Sequence, residues 1–408
     1  MALILARSPY SISRGLLDSG AILTVEIGNL VTYTFYSVKT YSLNFRNQQF
    51  IDISPLIRDY LLAGDGLVQF ESLMVRVTKT GSIGGVPQTP TIETHTAVDG
   101  YSFYEDGWNK DFSDELAGKS YYAGSNNVIY RYADKPLSIP ILKADNLDTD
   151  RTYVSYYYND TLISTVYLAT SGIGGSGTGQ WQNTNLRVRY ITESLFDDFQ
   201  ERVEYSGASF EDSYCFQEFE EDAVEFTANK VVISTAYLGS DIEEGAKLKP
   251  ITLTIVPVEE CKYEPHKLVF LNKYGVKEDL WFFKKSTKSM EVSKENYRTG
   301  SPDAYIYNRD LSHHTYKDYN VNGRESMVLN TGFVPESFNE NIKQLMLSER
   351  VWIDSGVARP NNVAQSSGSL LPVNIKDSSI ELKQSVNDKL INYTIEIDFS
   401  YDTINNVF

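Results

Sequence analysis

The sequence predicts a mainly β protein made of several antiparallel β-sandwich or barrel domains with a few short helices. First, many short segments alternate between apolar and polar positions and are rich in β-branched and aromatic residues, which is the pattern of half-buried strands. Second, Gly, Asn, Asp or Pro bounds these segments, as turns require. Third, aromatic residues make up 13% of the 408 residues, with 29 Tyr and 19 Phe, and this composition favours strands and large contact surfaces.

The alternating segments run along the whole chain. Predicted strands lie at residues 22–28, 68–78, 128–132, 152–158, 162–168, 186–191, 231–238, 251–258, 267–271, 280–284, 304–307, 326–330, 371–375, 379–384 and 391–399. Asn322-Gly323 separates two alternating segments and predicts a hairpin, because both central residues of a type I′ turn need positive φ.

Three segments have helical signals. Residues 54–62 begin with Ser54 as the predicted N-cap and Pro55 at the first helical position. Residues 194–204 and 335–349 each place apolar side chains on one face, as expected of helices that pack on a sheet. In the last helix this stripe consists of Phe338, Ile342, Leu345 and Met346.

Length and composition changes predict two to three domains. Residues 79–92 are rich in Gly, Pro and Thr and predict a long hairpin loop or a linker, and residues 257–266 hold two prolines and three glutamates before a new strand pattern. We therefore predict an N-terminal β-sandwich domain at 1–98, a middle β-rich domain at 99–262 and a C-terminal β domain at 263–408 that contains the last helix.

The charge balance excludes some classes of partner. Lys and Arg total 37 against 54 Asp and Glu, so the net charge is −17. This disfavours a general nucleic-acid-binding surface and docking on an anionic membrane. We also expect no membrane span and no signal peptide, and two cysteines, Cys215 and Cys261, make no disulfide framework.

The motifs that resemble catalytic or cofactor sites lack their required context. Residues 172–177 spell GxGxxG, but no helix pattern follows, as a dinucleotide site needs. The four histidines include none in a nucleophile elbow, and His313-His314 has no ligand at zinc-like spacing. We therefore predict no enzyme activity, no cofactor and no metal.

The strongest charge feature is the acidic run at residues 211–225. Such a run is typical of a solvated face, although paired carboxylates such as Glu218 and Glu221 also suit glycoside hydrolysis or Ca²⁺ binding. A further alternative is an acidic lining that repels DNA phosphates. On that reading Glu218, Glu220, Glu221 and Asp222 face a lumen or a groove between subunits.

Several stretches at the two ends of the chain carry a resemblance. They are residues 6–10 (ARSPY), 51–60 (IDISPLIRDY), 268–275 (LVFLNKYG), 279–283 (DLWFF), 319–323 (YNVNG), 329–334 (LNTGFV), 342–349 (IKQLMLSE) and 386–393 (VNDKLINY). Together they resemble a family of virion structural proteins from tailed bacteriophages of Bacteroidota, including crAss-like phages. The resemblance covers residues 1–62 and about 263–408, whereas about 100–262 resembles nothing known to us.

The resemblance implies a non-enzymatic component of the neck, tail or baseplate. As the leading hypothesis we expect a homo-oligomeric ring that joins other virion proteins, lies beside passing DNA without specific binding, contacts no membrane, and is assembled in the host bacterial cytoplasm. Aromatic residues on both faces of the strand at 279–283 suit either a subunit interface or burial within the domain. As interface residues we predict Tyr274, Trp281, Phe283 and Phe338.

A second function stays open on the same sequence. The chain could be a receptor- or glycan-binding protein of a fibre or baseplate, with aromatic side chains that stack on sugar rings. The candidate residues for this site are Tyr153, Tyr156, Tyr157, Tyr158 and Trp181. The stalk repeats that usually accompany fibre proteins are missing from the sequence.

Overall fold

The computed structural model describes most of the chain. The described residues are 3–13, 15–18, 20–29, 35–43, 50–62, 73–107, 109, 121–122, 124–132, 138–145, 150–168, 185–192, 229–237, 250–258, 260, 262–298, 314–354, 370–382 and 390–404. Several predicted features lie outside them: the helix at 194–204, the strand at 304–307, the GxGxxG segment, the acidic run and both cysteines. The described part is mainly β, with several antiparallel sheets and two short α-helices, so the predicted fold class is confirmed.

The strands, in chain order, have the following bounds. They are β1 Leu3–Leu5, β2 Ser11–Ser13, β3 Ala21–Asn29, β4 Phe35–Leu43, β5 Phe50–Asp52, β6 Leu73–Thr80, β7 Ser82–Ile83, β8 Val86–Pro87, β9 Thr91–Val98, β10 Tyr121–Tyr122, β11 Val128–Tyr132, β12 Ser138–Asp145, β13 Asp150–Tyr158, β14 Thr161–Leu168, β15 Asn185–Thr192, β16 Lys230–Tyr237, β17 Ile251–Val258, β18 His266–Leu271, β19 Lys277–Phe282, β20 Thr287–Arg298, β21 Tyr316–Pro335, β22 Val351–Asp354, β23 Leu370–Ile375 and β24 Leu390–Phe399. The helices are α1 Ser54–Leu62 and α2 Asn339–Met346, and 3₁₀ turns lie at Tyr104–Asp106 and Glu336–Phe338.

The chain divides into two compact units. Unit 1 comprises residues 1–259 and 271–278, and unit 2 comprises residues 260–270 and 279–408. The turn between β18 and β19 therefore belongs to unit 1, whereas most of both strands belongs to unit 2. The division into three domains stays a prediction.

A five-stranded sheet and helix α1 form the main core of unit 1. Its strand order is β1-β9-β6-β3-β4, antiparallel except for the parallel pair β1 and β9. Ile53, Ile57 and Leu61 recur every four residues, so they share one face of the helical segment and pack on the buried face of the sheet. On the other face Arg76 Nη2 donates to Glu26 Oε1 at 2.6 Å across β6 and β3.

The rest of unit 1 holds a three-stranded sheet and a second five-stranded sheet. Their orders are β10-β12-β15 and β11-β17-β16-β13-β14. Strands β13 and β14 form a hairpin whose two turn residues, Asn159 and Asp160, have φ of 46° and 65°. Positive φ at both positions matches the right-handed strand twist, and it is tolerated best by Gly, Asn and Asp.

Unit 2 contains most of a seven-stranded sheet of order β19-β18-β22-β23-β24-β21-β20. The first and last strands of this order are consecutive in the chain and are joined by residues 283–286 alone. Moreover, the backbone N–H of Lys284 donates to Asn330 O on β21 at 3.1 Å. So short a connection spans at most about 18 Å. The sheet therefore curls until its two ends lie close together.

Several predicted elements are present in the structure. Strands predicted at 128–132 and 251–258 coincide with β11 and β17, and the helix predicted at 54–62 coincides with α1. The helix predicted at 335–349 is observed as the second 3₁₀ turn followed by α2, with Phe338, Ile342 and Leu345 buried. The Gly-rich segment at 79–92 is indeed a hairpin loop, with positive φ at Gly84 and Gly85.

Two predictions about strands are wrong. The Asn322-Gly323 hairpin does not form, because β21 runs unbroken through both residues and pairs them with Ser293 and Val292 of β20. The positive φ falls instead on Asn320, at 51°, inside a bulge of this ladder. The segment predicted at 379–384 is not a strand over its described residues 379–382. Just before this segment, the Glu396 backbone N–H donates to the Asp377 carboxylate at 2.7 Å and not to a backbone carbonyl of a neighbouring strand.

Candidate functional site

The LNKYG segment folds into a buried turn around Asn272. The side-chain oxygen of Asn272 accepts from the backbone N–H groups of Tyr274 at 3.0 Å and Val276 at 3.3 Å. Its side-chain NH₂ donates to Glu278 Oε2 at 3.0 Å. Asn272 is fully buried and Glu278 is 6% exposed. Because a buried polar group must be hydrogen-bonded, this arrangement allows one conformation of the turn.

Glu278 also fastens a segment that is distant in sequence. Its carboxylate accepts from the Ser125 backbone N–H at 3.1 Å and from the Ser125 hydroxyl at 2.6 Å. Charge-assisted bonds of this kind are shorter and stronger than neutral ones. The Asn272–Glu278–Ser125 network is therefore a structural anchor inside unit 1, with its carboxylate fully engaged by donors.

Two glycines allow this turn to lie directly against the segment that follows β9. Tyr101 N donates to Lys273 O at 2.7 Å. A Cβ on Gly100 would lie 2.4 Å from that same carbonyl oxygen, and a Cβ on Gly275 would lie 2.7 Å from the Asp99 carbonyl carbon. Gly275 also has φ of 70°, which disfavours any side chain. Glycine at both positions is thus a requirement of close backbone packing.

The two N-terminal motif segments interlock in the same unit. The Asp52 carboxylate accepts from Tyr10 N at 3.0 Å, from Ser54 N at 3.0 Å and from the Ser54 hydroxyl at 2.7 Å. The helix begins at Ser54, so the capping acceptor is Asp52 and the prediction that Ser54 is the N-cap is wrong. Ile53 N in turn donates to Tyr10 O at 2.9 Å.

An aromatic and cationic surface lies next to these anchors. The Arg7 guanidinium lies 4.8 Å from the ring centre of Tyr101, and Lys273 Nζ lies 5.5 Å from that of Phe103. The rings of Tyr101 and Phe103 meet edge to face at 5.7 Å. Tyr104 follows on the first 3₁₀ turn and is fully exposed. Tyr101 is only 8% exposed, so Tyr104 is the exposed tyrosine of this segment. Tyr and Arg are enriched on protein-binding surfaces.

The predicted interface residues are mostly core residues of the chain itself. Tyr274, Phe283 and Phe338 are each less than 9% exposed, so burial within the chain accounts for their aromatic character. Trp281 is half-buried, stacks on Phe283 with ring centres 6.1 Å apart, and carries Lys267 Nζ 5.8 Å from its ring. A subunit contact at Trp281 stays a prediction, whereas the other three offer little surface to a partner.

The remaining predicted site residues have different outcomes. Glu218, Glu220, Glu221 and Asp222 lie outside the described residues, and so does Trp181. The side chain of Tyr153 is likewise outside the description. Tyr156 is buried and Tyr157 half-buried, while Tyr158 is exposed beside the β13–β14 turn. Of the described tyrosines proposed to stack on sugars, Tyr158 alone is open to solvent.

A compact charge cluster lies across β19, β18 and β22 of unit 2. Lys267 Nζ lies 3.6 Å from Asp279 Oδ2 and 3.3 Å from Asp354 Oδ2, and all three side chains are less than a fifth exposed. Burial raises the pKa of Asp279 above its usual range, and the repulsion of Asp354 adds to this, whereas Lys267 opposes it. One lysine is shared by two carboxylates, so the cluster is an ion-pair network in which Asp279 loses its proton less readily than a free aspartate.

A long exposed ribbon extends from one end of the seven-stranded sheet. Residues 316–325 of β21 pair with β20, and pairing with β24 begins at Ser326. All twelve residues of β20 are exposed. We name residues 290–298 and 316–325 the arm; it is about 30 Å long at 3.4 Å per residue. Its exposed apolar and aromatic side chains are Met290, Val292, Tyr297, Tyr316, Tyr319 and Val321.

The arm was missed in the sequence, although its composition contains a signal. Because both faces are open to solvent, its polar and apolar residues do not follow the alternation of a half-buried strand. The signal that could have found it is the charged residues of both signs around Met290 and Val292, since charged residues with Lys foremost protect exposed edge strands.

The described part of the chain shows no sign of a metal centre or of a membrane-spanning helix. Within the described ranges no group of three or more His, Cys, Asp or Glu could hold a metal ion. No helix among the described residues is both long and apolar enough to cross a membrane. The chain matches no protein-family profile, and no curated protein is significantly similar to it.

Proposed function

We propose that this chain is a non-enzymatic structural protein of a tailed-phage virion, a ring-forming component of the neck, tail or baseplate. Its copies contact one another head to tail, join neighbouring virion proteins and help to enclose the channel through which DNA passes. Head-to-tail contacts close into a ring when the rotation between copies divides a full turn. The protein assembles in the host bacterial cytoplasm and resides in the finished virion.

The exposed arm is the observation that carries this proposal. An isolated two-stranded ribbon is marginally stable in water. The arm nevertheless exposes Met290 and Val292 by about half, together with the edge-to-face pair of Tyr297 and Tyr319. Burying such exposed apolar side chains against another protein is favourable, because it removes apolar surface from water. A surface of this kind is expected of an assembly protein.

The charge of the chain supports the same role. A net charge of −17 disfavours adhesion of DNA to any channel that the protein helps to line. The acidic run at 211–225 is the segment that we expect to face the channel or a groove between subunits. Its position stays a prediction, because the run lies outside the described residues.

The test is to locate the chain in purified virions of a phage that encodes it. Mass spectrometry establishes whether the protein is a virion component, and a cryo-EM reconstruction establishes where it lies. We expect a closed ring of copies around the neck or tail axis. Absence of the protein from washed virions would overturn the proposal. Density at distal fibre tips alone would favour the receptor- or glycan-binding function instead.

A further inference from the structure

Asn322-Gly323 is the single Asn-Gly pair in the chain, and the turn that it predicts does not form. The pair lies instead within the arm, where β21 pairs it with Ser293 and Val292 of β20. Asn322 is half-buried and its neighbour Val321 is exposed, so water reaches this part of the strand. The chemistry of the pair is therefore open to solvent, although both residues belong to a strand.

The backbone nitrogen of Gly323 lies against the side-chain amide of Asn322. Its N–H donates to Asn322 Oδ1 at 2.8 Å, and this oxygen is bonded directly to Cγ. The oxygen of Gly323 accepts from Thr403 N at 2.7 Å, on the side of β21 that faces β24 and not β20. In an antiparallel strand the N–H and C=O of one residue point to the same side. The Gly323 N–H is therefore not part of the ladder with β20.

Strand β24 does not take this N–H into a ladder either. Pairing of β21 with β24 begins at Ser326, three residues further along the strand. The contact from Thr403 occupies the carbonyl of Gly323 and leaves its N–H to the Asn322 side chain. A bond between Gly323 N and Asn322 Cγ can therefore form without the loss of a ladder hydrogen bond. Gly323 also has no Cβ to hinder the approach, and its backbone can adopt angles that other residues avoid.

We propose that Asn322 is a site of spontaneous deamidation. Gly323 N forms a bond to Cγ, which closes a five-membered succinimide ring, and the bond from Cγ to Nδ2 breaks. The proton from Gly323 N leaves with Nδ2 as ammonia, and water then opens the ring to aspartate or isoaspartate. The reaction needs water alone, with no oxidant or reductant. This inference goes beyond the proposed function and does not depend on it.

The product changes both the charge and the backbone of the arm. The arm holds four basic and four acidic residues, so one new carboxylate gives it a net charge of −1. Isoaspartate also places Cβ in the main chain, so the residues on either side of position 322 no longer match their partners on β20. A two-stranded ribbon is marginally stable, and we expect this mismatch to loosen the arm.

Asn330 is the matched control on the same strand. Its Oδ1 accepts from Gly332 N at 2.8 Å, which is two residues along and cannot close a five-membered ring. Its side-chain NH₂ donates to Thr394 Oγ1 at 3.0 Å. The residue that follows it, Thr331, is β-branched and buried. Asn330 should therefore keep its side-chain amide.

The first experiment follows deamidation of the folded full chain by peptide mapping with mass spectrometry. The chain is incubated in warm, mildly alkaline buffer, because the attacking nitrogen must lose its proton. We expect Asn322 to deamidate at least tenfold faster than Asn330, and within about tenfold of the rate in a synthetic peptide of residues 316–328. The variant Asn322→Gln should remove the modification, because its longer side chain cannot close the same ring.

Two results overturn the site. One is that Asn322 reacts no faster than Asn330 in the folded chain. The other is that the synthetic peptide reacts while Asn322 in the folded chain stays intact, since the strand would then protect the amide. Circular dichroism before and after incubation shows that the chain has stayed folded.

The second experiment tests the effect on the arm. The isoaspartate form is separated from the unmodified chain, and amide hydrogen exchange is compared in peptides from residues 287–298 and 316–326. We expect exchange in both peptides to be at least tenfold faster in the isoaspartate form, with residues 390–399 unchanged. Equal exchange in the arm of the two forms would show that the modification does not loosen it. Neither experiment depends on assembly, so the location of the chain in virions tests the proposed function separately.

Discussion

Replacement of Gly275 by Ala tests whether the LNKYG turn is an anchor of unit 1. The φ of 70° costs a residue with a Cβ about 1–2 kcal/mol. The new Cβ would also lie 2.7–2.9 Å from three backbone atoms of Asp99, and such overpacking costs about 1–3 kcal/mol. We therefore expect Gly275→Ala to lower the free energy of unfolding of unit 1 by about 2–5 kcal/mol.

Gly84→Ala is the matched control for this change. Gly84 has φ of 58°, but nothing lies within 4 Å of the position that an alanine Cβ would take, so it carries the conformational cost without the clash. Amide hydrogen exchange at increasing urea, followed in peptides from residues 95–103 and 271–278, measures the opening of unit 1. The difference between the two variants gives the cost of the clash, which we expect to be about 1–3 kcal/mol, roughly a 5- to 150-fold change in the opening equilibrium.

A second substitution at Asp99 should not rescue Gly275→Ala. The atoms in the way are the carbonyl carbon, nitrogen and oxygen of the Asp99 backbone. Shortening the Asp99 side chain therefore gives no relief, and Asp99→Ala should not restore the stability of Gly275→Ala. If Gly275→Ala is no more destabilising than Gly84→Ala, the turn is loosely packed and the anchor argument fails.

Three further predictions concern carboxylates. In urea unfolding, Glu278→Gln should destabilise unit 1 by about 2 kcal/mol, because the new amide NH₂ would face hydrogen-bond donors from which the carboxylate now accepts. The control Glu336→Gln, at an exposed position, should change the stability of unit 2 by less than about 0.5 kcal/mol. Asp52→Ala should lower the stability of α1 by about 1 kcal/mol through loss of the helix cap, whereas Asp59→Ala, at an exposed position, should not lower it. Equal amide exchange rates in α1 for both variants would contradict this. The pKa of Asp279 is raised in the folded state, so its contribution to stability is present below the unfolded pKa of 3.8 and is lost as pH rises through the folded pKa. Asp279→Asn should therefore flatten the pH dependence of unit 2 unfolding above pH 3.8, and parallel pH profiles of the two proteins would refute this.

Sequence reasoning worked where one face of an element is buried. Strand β17, which buries Leu253 and Ile255 on one face, was predicted to the residue, and the buried stripe of α2 was read from its spacing. Alternation indicates burial on one side of a strand, so it fails where both sides are open, as along β20. It also fails where both sides are covered, as at residues 95–98 of β9, which are all buried. Asn322-Gly323 failed for a different reason, since the turn signal competes with the pairing of both residues to β20.

The anchor inside unit 1 was beyond sequence reasoning for a different reason. Glu278 and Ser125 are 153 positions apart, and no local pattern announces that they meet. The same holds for Gly100 and Gly275, each of which reads as an ordinary turn residue until the other is in place. Only long-range topology brings such groups together, and this information is spread over the whole chain.

This placement changes what the motif stretches can be evidence for. Asn272, Gly275 and Asp52 belong to the stretches on which the predicted resemblance rests, and each of them builds a turn or a cap. Residues with such roles are required by any chain that shares the fold, whatever it binds. The motif that reaches the exposed arm, at residues 319–323, is different, because Asn320 sets the bulge and Tyr319 lies on the surface. The partner of this protein is therefore to be sought along the arm, where side chains face solvent without a folding reason to do so.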